Sequence, residues 1–195
     1  TTNTTLEDKQ ELTSGNSDTP LPNGTEAKYD SIVDAYLAQG YELVSKDQLP
    51  AKFDLDSGYD QNVVVHVKHK VSTSTETNTV TQTINYVYEE DNTPAAPEKK
   101  TTLTFSREVK TDEVTKTTTQ GAWTPSVGTF PEVVSPVVDG YTPDKEKVTT
   151  VNVTATDADI NVTVKYKADK QKVTYTVIDD TTNTTLEDKQ ELTSG

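Results

Sequence analysis

The fifteen residues TTNTTLEDKQELTSG open the chain at 1–15 and return letter for letter at 181–195. Self-similarity at a fixed, domain-sized spacing is the signature of an array built from one module. The chain therefore reads as one full period that re-enters the next copy, an internal slice of a longer repeat. Copies in series make multivalent attachment the first functional idea.

A period of this size holds one or two domains. With 31% apolar residues and a mean hydropathy of -0.71, two small cores are expected rather than one large one. A net charge of -14 with 26% charged residues leans toward disorder, but valines, tyrosines and threonines fall in alternating runs that disordered segments lack. The chain reads as folded and heavily solvated. It contains no cysteine and no methionine, and no apolar run near the roughly 18 to 20 residues that cross a bilayer, so membrane insertion is not expected. A Cys-free, Thr-rich, acidic composition suits extracellular wall proteins of bacteria that do without disulfides. So negative a surface repels phosphate backbones, and no basic stripe is present to release counterions, which argues against nucleic-acid binding and against a bare anionic membrane.

Thr1 to Ser17 alternates weakly and is expected as a strand, followed by a Pro/Asn/Gly loop. A helix over about 28–39 follows, because Tyr29, Ile32, Val33, Tyr36 and Leu37 recur at helical spacing. Asp30 and Asp34 lie toward its positive end, and Gly40 closes it as a C′ residue. Tyr41–Val44 reads as a short strand. In VVVHVKHK, residues Val63, Val65 and Val67 share one face of a strand, and Val64, His66 and Lys68 the other. A helix packed across one sheet is an α+β arrangement of grasp type.

The second half repeats the theme with less helix. TVTQTINYVYEE puts Val80, Ile84, Tyr86 and Tyr88 on one face, DNTPAAPEKK turns, and TTLTFSREV returns with Leu103, Phe105 and Val109 aligned. Prolines at 131 and 136 permit at most a turn or two of helix, and Val151–Val153 and Ile160–Tyr166 mark further strands. GYELV at 40–44 before NVVVHVKHK parallels GYTPD at 140–144 before NVTVKYK. Two related subdomains follow, 1–75 and 76–171, with their boundary in the polar stretch Ser72–Asn78. Residues 172–195 start the next copy.

The segments YDSIVDAYLAQGYELVSKDQLPAKFDLDSGYDQNVVVHVKHK and TVTQTINYVYEEDNTPAAP…TLTFSREVKTDEVT…W…FPEVVSPVVDGYTPD resemble the two halves of a mucus-binding (MucBP-type) repeat, and together they cover nearly the whole chain. The resemblance implies a cell-wall adhesin of lactic acid bacteria. It also implies tandem ubiquitin-like β-grasp subdomains that attach to host mucin glycoproteins. It carries no catalytic residues over to this chain.

The residues themselves agree that an enzyme is not expected. His66 and His69, the only histidines, point to opposite faces of a strand and cannot jointly grip a metal. Thiol chemistry is excluded, and no serine sits in a G-x-S-x-G context. Asp54, Asp56 and Asp60 in DLDSGYD are candidate calcium ligands, since carboxylates along a tight turn can converge on one cation. The spacing departs from an EF-hand, with Gly58 at loop position 5 and Val65 in place of the bidentate glutamate, so a hydrated acidic turn is the plainer reading and no cofactor is required. Trp123 is a candidate for stacking on a sugar or on host protein, against the plainer reading that it plugs the second core. Tyr59, in a turn, is the better contact candidate.

Binding of mucin glycans through many weak contacts is the leading functional reading. A host-protein module that captures immunoglobulins, and a spacer in a wall-anchored stalk, are its alternatives. By register, KVTYTVIDD at 172–180 is the first strand of the next copy. The first subdomain is then expected to lack an edge strand, and 172–195 either dangles or completes a neighbouring molecule's sheet head to tail.

Overall fold

The computed structural model describes residues 4–194 of the chain. It contains one helix among many strands, in two compact units. Unit 1 comprises the described residues up to Glu76 together with Arg107–Gly121, and unit 2 comprises Thr77–Ser106 and the described residues from Ala122 onward.

In chain order the elements of unit 1 begin with α1 (Thr25–Ala38), β1 (Tyr41–Lys46) and β2 (Val65–His69). Helix α1 starts three residues earlier than its apolar spacing suggests. Gly24 adopts a left-handed φ of 87°, which turns the chain into the helix, and the Thr25 hydroxyl donates to the Pro22 carbonyl at 2.7 Å. The apolar pattern could not show this, because the first turn carries only Thr25, Glu26 and Ala27. At the other end Gly40, at φ 98°, donates to the Leu37 carbonyl at 3.1 Å. A side chain at Gly40 would be excluded twice, since a Cβ there would stand 2.2 Å from the Glu113 carbonyl oxygen.

Strands β1 and β2 pair antiparallel from Tyr41↔His69 to Lys46↔Val65, with a bulge between Leu43 and Ser45. Val63, Val65 and Val67 are half-buried while Val64, His66 and Lys68 are exposed, as their alternation implies. Lys46 lies 4.4 Å over the Tyr29 ring and pairs with Asp30 and Glu26, tying the strand to the helix. The helix itself is only partly covered: Tyr29 and Val33 are buried, but Ile32 and Leu37 are more than a third exposed.

Two long strands, β3 (Val71–Tyr88) and β4 (Pro94–Asp112), neighbour each other in one sheet. The polar stretch Ser72–Asn78, within which the chain passes from unit 1 to unit 2 at Glu76–Thr77, is strand, and much of DNTPAAPEKK is strand as well. Threonines and lysines sit comfortably on a solvated face, so polarity alone does not break a strand once it has a partner. β5 (Thr118–Gln120) pairs with β4 at Val109–Thr111, and residues 107–121 are tied to unit 1 by Arg107 on Glu76, Asp112 on His69 and the Glu113 amide on the Lys70 carbonyl, an assignment that linear reading missed.

Unit 2 continues with β6 (Gly128–Phe130), β7 (Val133–Val134), β8 (Tyr141–Pro143), β9 (Lys147–Val148), β10 (Val151–Val153) and β11 (Ile160–Ala168). The order β4-β3-β11-β8 places β11 parallel to β3, in register from Ile160↔Gln82 to Tyr166↔Tyr88, and antiparallel to β8. The inward faces build two clusters. Val80, Phe105, Phe130, Val153 and Ala155 form one; Ile84, Tyr86, Val133, Val148, Val164 and Tyr166 form the other. Where the sequence allowed a turn or two of helix after Trp123, the chain makes short extended pieces instead, β6 with β10 and β7 with β9.

The chain ends in a hairpin, β12 (Lys172–Asp179) with β13 (Thr184–Ser194). The strand expected over 1–17 is not found: Thr1–Asn3 lie outside the described residues, and 4–17 form no strand. The letters at 184–194 do form one, because β12 lies opposite to satisfy the backbone. Identical sequence takes two conformations according to whether a partner strand is at hand.

Phe105 is fully buried and contacts the position of Gly128 closely enough that a Cβ there would meet it at 2.9 Å. Phe105→Ala should lower the unfolding free energy by about 3–5 kcal/mol, read by chemical denaturation. A loss under about 1 kcal/mol would show that this cluster is not the core of unit 2.

Candidate functional site

The acidic turn after Phe53 is built from its own side chains. Its stem is fixed by backbone bonds, Asp18 donating to Phe53 at 3.0 Å and Phe53 to Thr19 at 2.9 Å, beside the Lys52–Asp18 ion pair. Asp54 Oδ1 accepts the Asp56 amide at 3.2 Å, Asp56 Oδ1 accepts the Gly58 amide at 2.9 Å, and Gln61 Oε1 accepts the Asp54 amide at 3.1 Å. These are local side-chain turns of the kind aspartate favours. Among the described residues no group of three His, Asp or Glu side chains stands together as a metal site, so Asp54, Asp56 and Asp60 are not gathered around one point. The turn holds out two apolar side chains, Leu55 at 79% and Tyr59 at 83% exposure.

Trp123 belongs to unit 2. It is half-buried and packs against the Val80–Phe105–Phe130 cluster. Its neighbour Thr124 exchanges backbone bonds with Ser106 at 2.7 and 2.9 Å, which fixes the indole at the margin of that core with part of its surface open.

A second presented apolar pair was not singled out in the sequence. Val134 and Val137 are 73% and 94% exposed, while the chain between them is held firmly. The Ser135 amide donates to Glu146 at 2.9 Å, its hydroxyl to Lys145 at 2.6 Å, and the Tyr166 hydroxyl donates to the Pro136 carbonyl. The signal that could have found it is the doublet pattern VVSPVV, in which one valine of each pair must face outward.

The two histidines play separate parts. His66 is exposed, whereas His69 Nδ1 lies 2.7 Å from Asp112 Oδ2 and its ring meets Tyr41 edge-on at 5.3 Å. Asp112 also accepts the amides of Val114 and Thr115. The His69 contact first, then these amides, hold its carboxyl at about 2.

Unit 1 also contains an open cavity of about 610 Å³ between residues 4–12, α1 and β2, with Tyr29, Tyr36, Tyr41, Val65 and Val67 in its wall. A hydrogen bond to Glu7 raises the Tyr36 hydroxyl above its ordinary value. What these surfaces offer is stacking, hydrogen bonding and apolar contact.

Residues 71–170 match the family model of the Muc B2-like domain, and residues 1–69 match that of the mucin binding domain. Among solved structures, that of Mub-RV is 33% identical over 80% of this chain and 88% of that one, with a TM-score of 0.63. The type 2 repeat of the mucus binding protein MUB from Lactobacillus reuteri is 27% identical over the same shares, with a TM-score of 0.52. The mucin-binding domain of Spr1345 from Streptococcus pneumoniae is 36% identical over 50% of this chain and 96% of that one, with a TM-score of 0.47. No curated protein gives a significant match.

Because the Asp112 carboxyl is held below its ordinary 3.8, its ionised form stabilises the folded chain above about pH 4, and that contribution is lost as pH falls through the folded value of about 2. Asp112→Asn should therefore melt below the parent at pH 7, with the gap closing as pH is taken from 4 toward 2. A gap of constant size across that range would contradict the assignment.

Proposed function

This chain belongs to the mucin-binding domain family, and on that premise we propose that it is an adhesion module of a bacterial surface protein that engages mucin glycans through many weak, repeated contacts. The observation that carries the reading is the pair of family matches, which together span 1–170 with the division falling at residue 70. In this reading each unit is one β-grasp subdomain. The parallel β3–β11 pair flanked by antiparallel neighbours supports it for unit 2, and a helix beside an antiparallel pair supports it for unit 1.

Contact is assigned to the exposed ring of Tyr59 with Leu55 beside it, and to the open part of Trp123, since aromatic faces stack on the apolar side of a sugar. No catalytic step and no cofactor enters. A module at -14 does not gain from bulk attraction to an anionic mucin, so affinity per copy is low. Copies in series raise the effective concentration, and avidity can exceed the single-site value by about 10² to 10⁴. Ordinary carboxylates begin to protonate near pH 4, which relieves repulsion there; Asp91, Asp112, Glu113, Asp144 and Asp179 are held lower and stay charged longest.

Immobilised mucin, before and after removal of its O-glycans, tests the reading directly. The chain should bind the intact mucin more strongly at pH 4 than at pH 7.5 and lose binding on deglycosylation. Tyr59→Ala should weaken binding about tenfold, or about 1.4 kcal/mol, with no change in melting temperature. Undiminished binding to the deglycosylated protein would replace glycan recognition with capture of a host protein such as an immunoglobulin. Stronger binding at pH 7.5 would remove the electrostatic part of the proposal.

A further inference from the structure

The two units solve one packing problem differently. In unit 2, Tyr141 opens β8 and stands opposite Ala168 of β11; in unit 1, Tyr41 opens β1 and stands opposite His69 of β2. Each tyrosine follows a left-handed glycine, Gly140 and Gly40. The pair β1–β2 is thus the counterpart of β8–β11, and residue by residue Val67 corresponds to Tyr166 and Val65 to Val164. The other edge of β11 carries β3 in parallel, whereas β2 has β1 as its one neighbour among the described residues. Beside β2, where a strand equivalent to β3 would put its inward side chains, lies the cavity walled by Tyr29, Tyr36, Tyr41, Val65 and Val67.

The hairpin β12–β13 has the opposite deficiency. Val173, Tyr175 and Val177 alternate as Ile84, Tyr86 and Tyr88 do in β3, yet they are 54%, 40% and 41% exposed. Its second strand repeats the letters of residues 4–14, of which 4–12 line the cavity. The shared glutamate shows how little distinguishes the two settings: Glu7 raises the Tyr36 hydroxyl above its ordinary value, and its twin Glu187 does the same to Tyr175.

We propose that unit 1 is a docking site for the β12–β13 hairpin of a second copy of this chain. β12 adds to the free edge of β2 in parallel, and β13 replaces residues 4–14, its own duplicate, over the cavity. The exchange sets one segment against an identical one, so its net cost is low, while the β12 side chains and ladder are gained. The register follows from unit 2: Val164↔Tyr86 and Tyr166↔Tyr88 translate to Val65 beside Tyr175 and Val67 beside Val177. Each copy both offers a hairpin and accepts one, so copies pair head to tail.

The absence of cysteine from the chain makes the register testable. Full-length His66→Cys and Thr176→Cys, both at exposed strand positions, are mixed in equal amounts, oxidised and run without reductant, beside the same mixture with Thr174→Cys as donor. Heterodimers should form from the 66 and 176 pair about tenfold faster or more than from 66 and 174, because only the former brings the Cβ atoms within disulfide reach. Sedimentation of the parent chain should show mass rising with concentration, and Val177→Lys should hold it at monomer without altering its melting temperature. Equal cross-linking rates, a mass independent of concentration, or association that survives Val177→Lys would each overturn the proposal.

Discussion

Residues Ile160 to Tyr166 lie in unbroken parallel register with Gln82 to Tyr88, and both buried clusters of unit 2 depend on that ladder. Parallel neighbours cannot be joined by a tight turn. The chain between Tyr88 and Ile160 must therefore travel back, and it does so by laying β4 on the far side of β3, folding β6, β7, β9 and β10 over the sheet and adding β8 beside β11. Because the side-chain period of a strand is two, the register decides that Ile84 and Tyr86 meet Val164 and Tyr166 inside. Burial in turn lifts the hydroxyls of Tyr86 and Tyr166 above their ordinary value, and Tyr166 is kept satisfied by the Pro136 carbonyl. That last bond anchors the segment on which Val134 and Val137 stand exposed.

Unit 1 shows what the same elements do without such a ladder. Its helix and two strands are joined by polar devices: Lys46 between two acids and a tyrosine ring, His69 on Asp112, and backbone bonds from Lys70 to Gly40 and from Glu113 to Lys70. Tyr29 and Val33 are its buried large apolar side chains. Pairs between exposed partners each contribute little, so the unit rests on many small terms and leaves apolar surface around its cavity.

Much of the architecture was legible because period-two alternation survives in a heavily polar sequence. The hairpin of β3 and β4, the strand β11 and the inward valines of β2 all follow from it, and Gly40 marks the helix end unaided. What escaped was non-local. Residues 107–121 return to unit 1 through Arg107 on Glu76, Asp112 on His69 and Glu113 on Lys70, and no local pattern encodes that. The failed strand at 4–17 has the same cause: its alternation is real, as β13 proves, but a strand is a property of two segments and the letters of one cannot supply the other. Around the candidate contacts, the turn residues around Tyr59 announced an exposed tip, whereas the aspartates beside it were spent on amides of their own loop, a choice of partner that spacing does not reveal.

The parallel ladder also has a mechanical meaning. A pull that enters unit 2 at the start of β3 and leaves at the end of β11 acts on the two strands at opposite ends of their shared register. Such a load slides one strand along the other and strains every bond of the ladder together, whereas a pull on the two ends of a hairpin such as β12–β13 opens one rung at a time. A chain that carries tension along its length thus has its firmest joint where β3 and β11 run side by side.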